Sequence, residues 1–123
     1  MTRGAGVLVA IAIGGAIGTG LRAAISMVSI LMLDENAFLA TLLVNVLGAA
    51  LIGYLATRAL EPREQALWMT GFCGGFTTFS LFSLEILLLL ERDLVLALAY
   101  GAGSLGLWLV AVWAGYSFGR SRP

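Results

Sequence analysis

The residues with the clearest chemical potential lie in one stretch, Gly71-Phe72-Cys73-Gly74-Gly75-Phe76-Thr77-Thr78-Phe79-Ser80-Leu81-Phe82-Ser83. It contains two adjacent glycines, each about 1 kcal/mol less favourable than alanine in a helix, and then two β-branched threonines. We therefore expect a helix to break near this point, in the middle of an apolar segment. Backbone carbonyls that such a break frees can coordinate a cation, as in discontinuous transporter helices. The alternative is a tightly packed but unbroken glycine pair.

Phe79 and Phe82 follow the expected break and share one helical face, because they are three residues apart. The edge of an aromatic ring carries the positive end of its quadrupole. A narrow path lined by ring edges would therefore attract a small anion without a full charge that traps it. The alternative is that these rings fill space or face lipid.

Two weaker constellations lie in other apolar segments. Thr41 and Asn45 are four residues apart, with Gly48 continuing their face, and Tyr100 and Ser104 are also one turn apart. A buried asparagine amide is costly unless it is paired, and its two N–H groups suit an anion. Hydrogen bonding between helices is the alternative role for the asparagine.

The elements that must position these groups are transmembrane helices. The 123 residues are 60% hydrophobic and only 11% charged, whereas about a quarter of an ordinary soluble domain is charged. Four continuous apolar segments, approximately 4–33, 36–57, 65–90 and 94–119, are each long enough to cross a bilayer once. The sequence predicts an all-α integral membrane protein, with residues 1–123 forming a single four-helix transmembrane domain.

Charged residues separate these segments, and only Arg22 and Glu85 lie inside them. Arg22 is expected to reach a surface or to draw anions into a vestibule, and Glu85 to extend to the interface. With alternating crossings one side holds five arginines, Arg3, Arg58, Arg63, Arg120 and Arg122, and the other holds Arg92, together with Arg22 if that side chain reaches the surface. The positive-inside rule then places both termini in the cytoplasm. The N-terminal segment also has some features of a cleaved leader, but its apolar character continues to residue 33, which favours a retained first helix.

Composition also excludes several functions. The chain has no histidine, one cysteine and no nucleophile–base pair, so we predict that it is not an enzyme. Its formal net charge of zero argues against nucleic acid as a partner. Four helices leave little room for a pore, and the spacings Gly14-x-x-x-Gly18 and Gly71-x-x-x-Gly75 allow close helix approach, so an oligomer in the lipid bilayer is expected.

The motif at 71–85 closely resembles the signature of the Fluc (CrcB) fluoride channels. The resemblance extends to the glycine-rich stretch Gly14–Arg22, the second-segment motif Thr41–Gly48 and the size of the chain. It implies a passive, fluoride-selective channel that exports cytoplasmic fluoride and confers fluoride resistance. It further implies an antiparallel, dual-topology homodimer with two pores, in the plasma (inner) membrane of a bacterium or archaeon.

Site residues follow from the same resemblance. Phe79 and Phe82 correspond to the pore phenylalanines and Asn45 to the pore-lining amide. The backbone carbonyls of Gly74 and Thr77 correspond to those that hold a structural Na⁺ at the dimer interface. The remaining family positions are matched by polar-track residues and two charged residues, namely Thr41, Ser80, Tyr100, Ser104, Arg22 and Glu85.

The sequence departs from the family pattern at two places, because Leu81 and Trp108 stand where the family often carries hydroxyl residues. The excess of arginine on one side also leaves open a heterodimer with an oppositely oriented relative. A small multidrug-type, proton-coupled exporter is the competing function, although it requires a first-helix carboxylate that this chain lacks. A subunit that assembles without transporting is a third interpretation.

Overall fold

The structure is a computed structural model and describes residues 2–123. All of its regular elements are helical, and four helical segments are long and apolar enough to cross a membrane, as the sequence predicts. The elements are α1 (Arg3–Leu33), a 3₁₀ turn (Asp34–Asn36), α2 (Phe38–Leu55), α3 (Pro62–Gln65), a π-helix (Ala66–Cys73), α4 (Gly74–Phe76), α5 (Ser80–Arg92) and α6 (Leu94–Arg120).

Polar residues in the connections determine where the helices start. The Thr2 hydroxyl accepts a hydrogen bond from the Ala5 N–H, and the Asp93 carboxylate accepts one from the Leu96 N–H at 3.0 Å. The third segment starts at Pro62, three residues before the predicted position 65, because Glu61 and Glu64 form a capping box around a proline in the first turn. The second segment is shorter than predicted, at Phe38–Leu55 rather than 36–57.

The third segment changes its winding four times, the first of them from α3 to the π-helix that follows. It passes from the π-helix at Ala66–Cys73 to α4, and then to three residues, 77–79, that lie outside any helix before α5 begins at Ser80. Thr77 has extended backbone dihedrals, with φ −85° and ψ 159°. The glycine pair, Gly74 and Gly75, is itself helical, so the non-helical residues lie just beyond it.

Close glycine contacts join α1 to the third segment. A Cβ atom on Gly75 would lie 2.5 Å from the Gly15 carbonyl oxygen, and one on Gly71 would lie 2.7 Å from that of Ile11. On α1, a Cβ on Gly14 or Gly18 would overlap the backbone of the third segment. The two small-residue spacings of the sequence therefore pack against each other. We call these four positions, 14, 18, 71 and 75, the glycine seam.

The other half of the bundle packs α2 and α5 against α6. Its buried apolar cluster consists of Phe38, Phe82, Leu89, Ala97 and Tyr100. Arg58 ties the end of α2 to the end of α6 by donating to the Gly119 carbonyl oxygen at 3.2 Å. At the opposite end of the bundle, Arg92 pairs with the Glu35 carboxylate at 3.5 Å.

Candidate functional site

Asn45 holds the non-helical residues of the third segment in place. It is 5% exposed, and its side-chain amide makes two hydrogen bonds of 2.8 Å to one residue. The Asn45 Nδ2 donates to the Thr78 carbonyl oxygen, while the Asn45 Oδ1 accepts from the Thr78 N–H. One amide N–H of Asn45 remains uncommitted by this pairing, because the NH₂ group has two donors.

Two backbone carbonyls in this stretch are left without their helical partners. In a regular α-helix the Gly74 carbonyl would accept from the Thr78 N–H, and the Thr77 carbonyl from the Leu81 N–H. Here Asn45 takes the first donor, and the Thr78 hydroxyl takes the second at 3.2 Å. Within residues 2–123 no other donor replaces them at either carbonyl oxygen. Both residues line the same surface cleft, so these oxygens are candidate cation ligands.

Arg22 and Thr19 bind a third carbonyl in the same region. The Arg22 Nε donates to the Gly75 carbonyl oxygen at 3.1 Å, and the Thr19 hydroxyl donates to the same oxygen at 3.3 Å. Arg22 is half-buried rather than fully extended to a surface. Its positive charge therefore lies beside the residues that precede the non-helical stretch.

Glu85 is half-buried, and its carboxylate is held between helices instead of extending freely. Its two carboxylate oxygens accept hydrogen bonds of 2.6 Å from separate helices. The Thr41 hydroxyl on α2 donates to one oxygen, and the Tyr100 hydroxyl on α6 donates to the other. The two polar constellations that the sequence treats separately therefore meet at one carboxylate.

Phe79 and Phe82 differ sharply in exposure, although their ring centroids are only 5.5 Å apart. Phe79 is 65% exposed on the single chain, whereas Phe82 is 3% exposed. The Phe82 ring lies 5.3 Å from the Tyr100 ring and makes an edge contact with Trp108 at 4.6 Å. The two rings of the predicted path thus link the buried aromatic cluster to an open face.

Two buried donors on α6 have no hydrogen-bond partner among the described residues. They are the Ser104 hydroxyl, on a residue that is 1% exposed, and the Trp108 indole N–H. They lie one turn apart, on the face that also carries Tyr100. Trp108 therefore brings a donor to the position where the family resemblance leads us to expect a hydroxyl. Ser80 is exposed, and its hydroxyl lies 3.4 Å from that of Thr78.

An open cleft of about 450 Å³ brings four of the predicted site residues, Asn45, Gly74, Thr77 and Phe79, to one surface, whereas the other seven do not line it. Its lining is largely apolar and includes Asn45, Gly74, Thr77, Phe79 and Trp108. Glu85 and the residues that bind it lie deeper in the bundle and do not line this cleft. The site therefore has an open part around residues 74–79 and an enclosed part around the Glu85 carboxylate.

Sequence reasoning missed the roles of two threonines. Thr78 supplies both a backbone partner for Asn45 and a side-chain acceptor for Leu81, and Thr19 shares a carbonyl with Arg22. The available signal for Thr19 is its position three residues before Arg22 on one helical face. For Thr78 the signal is a hydroxyl next to an expected break, where freed backbone N–H groups need acceptors.

Comparison with known proteins identifies the group to which this arrangement belongs. Residues 9–116 match the profile of the family described as "CrcB-like protein, Camphor Resistance (CrcB)". The chain belongs to the CrcB family. A relative from Stutzerimonas stutzeri (strain A1501), named "Fluoride-specific ion channel FluC", is 43% identical over 117 residues, which cover 90% of this chain and 94% of the relative.

Other CrcB relatives carry the same name over similar lengths. The protein from Azotobacter vinelandii (strain DJ / ATCC BAA-1303) is 44% identical over 116 residues, covering 89% of this chain and 94% of the relative. The protein from Aquifex aeolicus (strain VF5) is 40% identical over 122 residues, covering 94% of this chain and 98% of the relative. The resemblance stated from the motifs is thereby confirmed, and these names identify ion channels rather than enzymes.

Proposed function

We propose that this chain forms a passive, fluoride-selective channel. The proposal draws on its CrcB membership, on relatives named as fluoride-specific channels, and on one structural observation. That observation is a set of uncommitted donors: one amide N–H of Asn45 and the Trp108 indole N–H, which share the open cleft with the Phe79 ring, and the buried Ser104 hydroxyl one turn from Trp108. Proton-coupled export is not favoured, because α1 carries no carboxylate and the relatives are named as channels.

Fluoride's strong hydration determines what such a path must provide. A selective path has to replace water with several donors and weakly positive surfaces, yet bind loosely enough for the ion to leave. We assign the ring edges of Phe79 and Phe82 and the amide of Asn45 to the centre of the path. The polar track consists of Thr41, Ser80, Tyr100 and Ser104, and Arg22 and Glu85 supply the fixed charges near its course.

The direction of transport follows from the membrane potential. When the cell interior is negative, the free energy of an anion falls by about 2.3 kcal/mol per elementary charge per 100 mV as it leaves the cell. No other energy source is needed for export. We therefore propose that the channel removes cytoplasmic fluoride and so confers resistance, in the inner membrane of a bacterial or archaeal cell.

We propose that residues 77–79 form the break of a discontinuous third helix and that the adjacent carbonyls hold Na⁺. The fit is supported by the loss of helical donors at the Gly74 and Thr77 carbonyl oxygens and by their place on the open cleft. The ion, when bound, would supply a fixed positive charge that ties these oxygens together.

We further propose that two copies associate in antiparallel orientation across this cleft. The 65% exposure of Phe79 on the single chain supports burial of that ring by a partner. A homodimer is the first choice. A heterodimer with an oppositely oriented relative accounts better for the arginine imbalance, five on one side against Arg92 on the other.

Fluoride efflux from proteoliposomes tests the proposal. The wild-type protein should release fluoride rapidly but chloride slowly, without a proton gradient. Phe79→Ile and Phe82→Ile should each reduce fluoride release strongly, whereas Phe118→Ile, at an exposed ring near the end of α6, should not. Fluoride release that is unaffected by the first two substitutions would overturn the assigned path. No release of any ion, alone or with a co-expressed relative, would favour a subunit that does not transport.

A further inference from the structure

A second pocket, lined by polar and charged groups, lies at the end of the bundle, away from the proposed ion path. It has a volume of about 490 Å³ and forms where α2 ends and α6 ends. Its lining contains three arginines and no aspartate or glutamate: Thr57, Arg58, Ala59, Tyr116, Gly119, Arg120, Arg122 and Pro123. Nothing in the proposed channel function uses these arginines.

Each of the three guanidinium groups is held against an aromatic ring. The guanidinium carbon of Arg58 lies 4.5 Å from the centroid of the Tyr54 ring, that of Arg122 lies 4.6 Å from Phe118, and that of Arg120 lies 5.8 Å from Tyr116. Such cation–π contacts orient a planar guanidinium and leave its N–H groups available at the ring edge. Arg58 is fixed further by its hydrogen bond to the Gly119 carbonyl. The positive charges are therefore positioned, not merely exposed.

No carboxylate side chain of the described residues pairs with these three arginines, although Arg58 also donates to a carbonyl at the end of α6. Among residues 2–123 the one side-chain ion pair joins Arg92 to Glu35 at the opposite end of the bundle. A neighbouring pocket at the same end, which contains Arg3 and Arg63, includes the carboxylate-bearing Glu61. Three like charges in one pocket repel each other, and an anion that binds among them removes that cost.

We propose that the pocket formed by Arg58, Arg120 and Arg122 binds a phosphate group at the membrane surface. The planar fork of arginine matches phosphate oxygens in bidentate fashion. The pocket lies where two apolar helices end, which is the depth of lipid headgroups, and basic pockets between transmembrane helices are suited to anionic headgroups. The phosphate has two sources, a lipid phosphodiester or a free phosphate ion, and the experiment distinguishes them.

The test compares two pairs of substitutions that remove equal charge from the same end of the protein. Arg120→Gln with Arg122→Gln changes the pocket, whereas Arg3→Gln with Arg63→Gln changes its neighbour. Each full-length protein is purified in detergent and checked for a monodisperse elution profile. Phosphatidylglycerol retained by each protein is counted by native mass spectrometry. Melting temperatures are then recorded against phosphatidylglycerol, phosphatidylcholine and inorganic phosphate.

The pocket predicts an unequal result. The first pair should weaken binding of phosphatidylglycerol about tenfold or more, while the matched pair stays close to wild type. Arg120→Lys with Arg122→Lys keeps the charge but loses the planar guanidinium groups. Its affinity for phosphatidylglycerol should lie between those of the two glutamine pairs. Stabilisation by phosphatidylglycerol alone identifies the lipid as the source, and equal stabilisation by inorganic phosphate identifies the free ion. The proposal is overturned if both glutamine pairs weaken binding equally, or if neither of the anionic phosphate sources stabilises the wild-type protein more than phosphatidylcholine, whose phosphodiester is neutralised by its own choline, does.

Discussion

The two sides of the third segment meet their neighbours by opposite means. Toward α1 the contact is the glycine seam, where the absence of side chains lets two backbones touch. Toward α2 and α6 the contact consists of polar side chains, with Asn45 bound to Thr78 and with Thr41 and Tyr100 bound to Glu85. We call these five residues the polar seam.

The difference shows how one segment can be both anchored and chemically active. In lipid, helices associate through close packing and through hydrogen bonds between helices. The glycine seam uses only packing, so apart from the Gly75 carbonyl it offers an ion few polar groups. The polar seam uses hydrogen bonds, and one amide N–H of Asn45 remains uncommitted by them. Together with the unpaired Ser104 and Trp108 donors on α6, it is what this side of the segment can offer a passing anion.

Substitution of Asn45 should break the polar seam most severely. Asn45→Ala removes both hydrogen bonds to Thr78 and leaves the backbone N–H and carbonyl of Thr78 unpaired within the membrane. We expect fluoride flux to fall on the order of 100-fold, since the Phe79 ring follows Thr78 directly and would be displaced. The unfolding free energy in detergent should fall by about 2–4 kcal/mol. Asn36→Ala, in the exposed turn before α2, is the control, and an equal loss in both variants would refute the special role of Asn45.

Substitution of Gly14 tests the glycine seam. In Gly14→Ala the new methyl group would overlap the Leu67 carbonyl, so the unfolding free energy should fall by about 1–3 kcal/mol. Flux per folded molecule should change little, because α1 supplies no path residue at this height. A Cβ on Gly103 meets nothing within 4 Å, so Gly103→Ala should stabilise helix α6 by up to about 1 kcal/mol. Equal chemical-denaturation midpoints for Gly14→Ala and Gly103→Ala would contradict the close packing of the glycine seam at Gly14.

Removal of the Tyr100 hydroxyl tests the enclosed part of the polar seam. Tyr100→Phe keeps the ring against Phe38 and Phe82 but removes the donor to the Glu85 carboxylate. We expect fluoride flux to fall about tenfold, the equivalent of about 1.4 kcal/mol. The matched control on the same helix is Tyr116→Phe, at an exposed ring. If both variants conduct alike, the hydroxyl at position 100 has no part in the path.

The smallest expected effect on fluoride flux is at Trp108. Its substitution tests whether the indole N–H replaces the hydroxyl that the family often carries at this position. Trp108→Phe keeps an aromatic ring beside Phe82 but removes the unpaired indole N–H. Flux should fall about threefold, which corresponds to an average membrane hydrogen bond of about 0.6 kcal/mol. Trp108→Ser should conduct better than Trp108→Phe, because it restores a donor. Trp113→Phe, at a ring that is 68% exposed, should match wild type in the same liposome assay.

The sequence predicts the helices well because hydropathy and charge act locally. Apolar length determines the four membrane-crossing segments, and their ends shift by a few residues, as where Glu61 with Pro62 starts the third segment earlier and where α2 stops at Leu55. The role of the glycine pair was harder to predict. At position 75 only glycine fits, because α1 approaches its backbone closely. The non-helical residues lie beyond the pair, where Asn45 on α2 accepts a hydrogen bond from the Thr78 N–H.

The site is less predictable because its pairings are tertiary. Helical spacing correctly places Thr41 with Asn45 and Tyr100 with Ser104, but it cannot show that Thr41 and Tyr100 share the Glu85 carboxylate. Nor does it show that Trp108 keeps an unpaired donor, since that depends on the absence of an acceptor on neighbouring helices. The roles of the phenylalanines, and of Na⁺, come from the family resemblance and stay predictions.

The π-helix at Ala66–Cys73 has a consequence for how the two seams can coexist. A π-turn accommodates one more residue than an α-turn, so it shifts the angular phase of everything that follows. Winding the same residues as plain α-helix, with none removed, would rotate the downstream part by about 100° for each surplus residue. Gly71 could then still face α1, but Thr78 would turn away from Asn45. The wider π-turns place the glycine seam toward α1 and Thr78 toward Asn45 on the same segment. Insertions and deletions should therefore be tolerated less here than in the loops.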